Sequence, residues 1–159
     1  MINTVVISLG HRFRSDDGVG PYILDRVRQG LGNDAVCIGN GGDVTRLLED
    51  WMNRRVYLVD AACTDSRAPG EVIHLNGLEE ELPASLSITS SHGLNLSEAI
   101  ELGKLMGMLP HALDIYAICG EKFSTGGDLS PAVRISADMV AEYIVTELKT
   151  EQSYKPDQV

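Results

Sequence analysis

Short apolar runs rich in β-branched residues alternate along this chain with longer stretches whose apolar residues recur every three or four positions. That alternation limits the possible folds more than any other feature, because strands alternating with helices imply a largely parallel sheet covered on both faces. The runs predicted as strands are Thr4 to Leu9, Ala35 to Ile38, Arg55 to Val59, Glu71 to Leu75 and Leu113 to Cys119. The first helix opens near Pro21, carries Tyr22, Ile23, Val27 and Leu31, and ends at Gly30 or Gly32. Asp43 is a fitting N-cap for a second helix through Val44, Leu47, Leu48 and Trp51. A third spans Leu94 to Leu109, with Leu94, Ile100, Leu105 and Leu109 on its apolar face and Ser90 or Ser91 as its cap. Ser130-Pro131 opens the last, whose buried stripe is Val133, Ala137, Val140, Ile144 and Leu148.

The order is therefore β-α-β-α-β-β-α-β-α. It predicts a three-layer α/β/α sandwich with a mostly parallel five-stranded sheet. Only a short turn with Pro69-Gly70 separates the third and fourth strands, too little for a helical crossover. The alternating Glu71 to Leu75 run is therefore expected to be antiparallel to its neighbour or a short edge strand. Residues 1–150 are read as one domain and 151–159 as a polar, frayed tail.

The net charge of -10 argues against nucleic acid, which needs a basic surface, and against an anionic membrane surface. No stretch is long and apolar enough to span a bilayer, and the N-terminus lacks a basic segment with a cleavage site, so a cytoplasmic protein is expected. Cys37, Cys63 and Cys119 form no CxxC pair, which argues against a structural zinc site; each reads as a buried small hydrophobe, with Cys63 nearest a candidate site.

Asp17, Asp60 and His92 carry the chemistry. Asp17 lies in Ser15-Asp16-Asp17-Gly18-Val19-Gly20, between the first strand and helix. Asp60 closes the run Val56-Tyr57-Leu58-Val59-Asp60. His92 lies in Ser90-Ser91-His92-Gly93, ahead of the third helix. In open α/β sheets such positions converge outside the carboxyl ends of the strands. Each has a plain structural reading as well: acids before a helix cap it, an aspartate after a strand caps a turn, and a lone histidine often packs. Together, two carboxylates and an imidazole make a site for a divalent cation, suited to nickel, zinc, manganese or iron better than calcium. Three protein donors leave coordination positions open, as catalysis or recognition requires. His11 follows the first strand and is a candidate neighbour of Asp17, whereas His74 and His111 read as surface residues. No GxGxxG or Gly-Lys-Ser/Thr phosphate loop, GxSxG elbow or HExxH helix is present.

These segments resemble those of the hydrogenase maturation endopeptidases across Val5 to about Leu148. Gly10 through Gly20 is similar to that family's opening Gly-Asn-x-x-x-x-Asp-(Asp/Glu)-x-x-Gly. Asn40-Gly41-Gly42-Asp43 resembles its Asp-Gly-Gly-Thr turn, Val59-Asp60-Ala61 its central Asp-Ala, and Ser91-His92-Gly93-Leu94 its histidine loop. Leu129-Ser130-Pro131-Ala132-Val133 resembles the start of its last helix. Two positions depart from the pattern: His11 stands where the family has Asn, and Asn40 where it has Asp. The resemblance implies an endopeptidase that recognises nickel already installed in the precursor of a nickel-iron hydrogenase large subunit and removes its C-terminal extension. It places the metal ligands and the catalytic work on Asp17, Asp60 and His92. Nickel would arrive with the precursor, and zinc or cadmium would substitute in the isolated protein. Either the metal polarises the scissile carbonyl or a carboxylate acts as base.

Two alternatives stay open at this stage. One is a phosphorylase-like or peptidyl-tRNA hydrolase-like enzyme on a similar fold, although only Arg12, Arg14 and Arg46 stand near the glycine turns to meet phosphate or RNA. The other is a nickel-dependent maturation chaperone that inspects the precursor without cutting it.

Overall fold

The computed structural model describes residues 3–10, 15–32, 36–63, 66–82, 87–88, 95–121 and 126–153. Strand β1 is Thr4–Leu9, α1 is Val19–Leu31, β2 is Val36–Asn40 and α2 is Val44–Trp51. They are followed by β3 (Arg55–Cys63), β4 (Val72–Asn76), β5 (Ser87–Ile88), α3 (Leu96–Met106), β6 (Ala112–Cys119) and α4 (Pro131–Ser153). The sheet runs in the order β2-β1-β3-β6-β4, and β5 adds a two-residue pairing to β3. Pairings β1–β2, β1–β3 and β3–β6 are parallel, whereas β4 is antiparallel to β6 and lies at an edge. The expected five-stranded, mostly parallel sheet is thus present, with β5 as a short addition.

Alternate residues of the central strands bury against opposite layers, as the pleat requires. Val6, Tyr57, Val59, Ala61, Tyr116 and Ile118 pack with α1 and α4. Val5, Ile7, Val56, Leu58, Leu113 and Ile115 pack with α2 and α3. The α4 stripe is as read from the sequence, with Val133, Ala137, Val140, Ile144 and Leu148 all buried. That helix runs on to Ser153, three residues into the segment expected to be a tail.

Three expectations need correction. Strand β3 does not stop at Val59 but continues through Asp60 to Cys63, because β6 pairs with it as far as Ala62 and β5 pairs with Ala62 and Cys63. Helix α3 begins at Leu96 and is capped by Asn95, whose side chain accepts from the Glu98 N–H at 3.3 Å; the cap is not Ser90 or Ser91. Its buried face is Leu96, Ala99, Ile100 and Gly103, whereas Leu105 is 85% exposed. At α2 the sequence reading holds, and Asp43 caps it by accepting from the Arg46 N–H at 3.0 Å.

Candidate functional site

The site grows from the place where β1 ends and β3 goes on. Pairing between the two strands closes at Ser8 and Val59, so Asp60 is the first residue of β3 beyond that register. On its other edge Asp60 stays paired with Ala117 of β6. It is therefore a strand residue at a topological step, fully buried. Its Oδ1 accepts from the Ala61 N–H at 2.8 Å, whereas its Oδ2 is buried with no hydrogen-bond partner among the described residues. Burial holds the Asp60 carboxyl well above the usual carboxylate range; the Ala61 N–H works against this, and the charge of Asp17 adds to it.

Asp17 reaches this point from a single 3-10 turn, Ser15–Gly18, that leads directly into α1. It is 1% exposed. Gly10 (φ 108°) lies under the turn, and a side chain there would collide with the Asp17 carbonyl oxygen. At Gly20, a Cβ would collide with the Leu9 carbonyl oxygen and come within 2.9 Å of that of Val59. Gly20 thus lets α1 lie directly on the backbones of β1 and β3. The space that glycine leaves is filled by strand backbone and not by a ligand.

The structure therefore brings together two of the three candidate ligands, Asp17 and Asp60. His92 lies outside the described residues; the described residues that bracket it are Ile88, whose backbone pairs with Ala62, and Asn95 at the cap of α3. His11 and the side chain of Cys63 also lie outside them. Among the described residues no group of three His, Cys, Asp or Glu side chains could hold a metal ion. The pair nevertheless suits a divalent cation. Two buried acids stand close enough for the charge of Asp17 to act on Asp60, whose Oδ2 has no hydrogen-bond partner among the described residues, and carboxylate oxygens placed so are donors that a divalent cation takes.

The neighbouring Asn40 has a local task. Its Oδ1 accepts from the N–H groups of Gly42 and Asp43 at 2.7 and 2.8 Å, and its Nδ2 donates to the Asp43 carbonyl at 2.8 Å. The departure to Asn at this position completes a turn with a donor that aspartate lacks. His74 and His111 are exposed, and His74 bonds Asp114 at 2.9 Å. Cys119 is buried and Cys37 half-buried.

Asp16 is a residue whose task the sequence did not disclose. Its carboxylate is fully buried and accepts from the Ser130 N–H, the Ser130 hydroxyl and the Glu121 N–H at 2.7, 2.8 and 2.7 Å. The only sequence signal was that a helix start needs one acid and this one has two.

No protein-family model matches the chain, and no curated protein does. Solved structures do. HybD from Thermococcus kodakarensis, a [NiFe] hydrogenase maturation protease, superposes with a TM-score of 0.74 at 22% identity, covering 92% of this chain and 99% of that one. The hydrogenase maturating endopeptidase HybD from E. coli gives 0.75 at 20% identity over 94% of both chains. The hydrogenase 2 maturation peptidase from a Thaumarchaeota archaeon gives 0.63 at 21% identity, covering 92% and 98%. At these identities the likeness shows a common fold. No described helix is long and apolar enough to cross a membrane.

Proposed function

We propose that this chain is a hydrogenase maturation endopeptidase that reads nickel in the precursor of a nickel-iron hydrogenase large subunit and removes the precursor's C-terminal extension. The observation that carries the proposal is the pair of buried carboxyls, Asp17 and Asp60, brought together at the step between β1 and β3. The five motifs in family order and the shared fold support it. Asp17 and Asp60 would offer oxygen and His92 nitrogen to the nickel, so that affinity for the precursor depends on metal loading. Held by these residues, the nickel would supply Lewis acidity for the cleavage. Because these residues form a buried pair and not a nucleophile with its base, water would be the attacking group, and the chain's own part is to bind and orient the scissile carbonyl, with a carboxylate free to take the proton of that water.

The test is the intact mass of a nickel-loaded large-subunit precursor before and after incubation with the protein, beside a nickel-free precursor and an Asp17→Asn variant. Loss of a C-terminal peptide only with nickel and only with the unmodified protein is the expected result. Nickel-dependent binding without any mass change would point instead to a checkpoint chaperone.

A further inference from the structure

We infer that Asp16 is a positioning residue, and that its buried carboxylate fixes where Asp17 stands relative to Asp60. The inference rests on the proposed role of Asp17 as a donor to the metal. Asp16 and Asp17 are adjacent in one four-residue turn, yet their side chains do different work. Both Asp16 oxygens are engaged: Oδ1 accepts from the Ser130 N–H, and Oδ2 accepts from the Ser130 hydroxyl and the Glu121 N–H. These donors come from the two ends of the connection between β6 and α4, which are 105 and 114 residues away in sequence. The neighbouring Ser15 hydroxyl donates to the Asp128 carbonyl at 3.1 Å, so a second tie runs from the turn to the approach to α4.

The turn is thus pinned on several sides. Its carbonyl at Asp17 rests on Gly10, Gly20 seats the following helix on β1 and β3, and Asp16 bolts it to Glu121 and Ser130. A buried carboxylate taking three short bonds is strongly held, because each bond is charge-assisted and leaving its donors unpaired is costly. Asp16 therefore transmits the position of the β6–α4 connection to Asp17. It also gives Ser130 of the Leu-Ser-Pro segment a purpose beyond starting a helix. Groups that orient a metal donor without touching the metal are worth about 10- to 100-fold in affinity.

Cobalt(II) is the probe, since its visible absorption reports both occupancy and donor geometry. The unmodified chain, Asp16→Asn, Ser130→Ala and Asp17→Asn are titrated with cobalt(II) well below their melting temperatures and then assayed for cleavage of the nickel-loaded precursor. Asp16→Asn is expected to bind cobalt about 10- to 100-fold more weakly with altered bands and to lose kcat/KM. Ser130→Ala removes one donor of the three and should show a smaller loss in the same direction, which keeps the test available if Asp16→Asn does not fold. Folded variants that melt earlier but keep the cobalt affinity and bands of the unmodified chain would reduce Asp16 to a stabilising clamp and overturn the inference. If the unmodified chain neither binds cobalt nor cleaves the precursor, the functional reading itself fails and takes the inference with it; cleavage with unaltered Asp16→Asn behaviour fails the inference alone.

Discussion

At Asp60 the cost of the site is written into one side chain. In the folded chain this carboxyl keeps its proton to higher pH than in the unfolded chain, chiefly because it is buried and further because Asp17 stands near. The folded state therefore holds the extra proton between the two values. Stability contributed by this group then declines as pH rises from about 4, the ordinary aspartate value, which is the reverse of a salt-bridged carboxylate. Asp60→Asn removes the charge and keeps an oxygen for the Ala61 N–H. The metal-free variant is expected to melt at a higher temperature than the unmodified chain at pH 7, with the advantage shrinking as pH falls toward 4. Thermal melts across that range check it, and a pH-independent difference would contradict the assignment. The same variant should lose precursor cleavage. Asp16 illustrates the limit of reading residues locally. An acid before a helix is a cap by every sequence rule, and the donors that make it something else are supplied from Glu121 and Ser130.

Elements were legible where local chemistry decided them and less so where distant pairing did. The Asp43 cap and the Val133-to-Leu148 stripe follow from side chains within a turn or two of each other. The extension of β3 past Val59 does not, since Asp60 to Cys63 become strand only because β6 and β5 supply partners. Helix α3 follows from the apolar spacing, but its cap and outer face do not. Serines and an asparagine compete for the cap over a few residues, and three-to-four spacing assigns Leu105 to a stripe whose last turn leaves the core. The correction has an energetic consequence. Ile100, 7% exposed and packed among Leu48, Leu96 and Ile115, should cost about 2–5 kcal/mol on truncation to alanine. Leu105→Ala should stay within about 0.5 kcal/mol of the unmodified chain. Denaturant melts of the two variants check this, and equal losses would mean that the α3 face has been wrongly assigned.

Over the whole molecule, the sheet order β2-β1-β3-β6-β4 is what turns remote sequence positions into a site, because β3 lies at the centre and outruns β1. The sequence places the acids near strand ends, which holds for Asp17 after β1 but not for Asp60 inside β3, and it does not tell which strands adjoin, since crossovers are set by packing between distant segments. The same architecture stacks tyrosines beneath α4. Tyr57 and Tyr116 lie with ring centroids 6.5 Å apart, Tyr143 of α4 stands 6.0 Å from Tyr116, and His74 of β4 stacks on Tyr116 at 4.4 Å. Burial pushes the Tyr57 hydroxyl up to about 12, opposed by Arg55, which bonds it at 2.6 Å. Burial raises Tyr116 as well, aided by Tyr143 and Asp114. Both phenols stay protonated in the folded chain at pH values where the unfolded chain has lost those protons. Stability should therefore fall as pH rises from about 10, the ordinary tyrosine value, toward 12. Melts between pH 9 and 12 with ultraviolet absorbance should show the loss of structure coinciding with late tyrosine ionisation. Tyr57→Phe should make the decline shallower, because the phenol that has to stay neutral is gone. A slope unchanged by that substitution would mean that alkaline unfolding starts elsewhere than in the layer joining the sheet to α4.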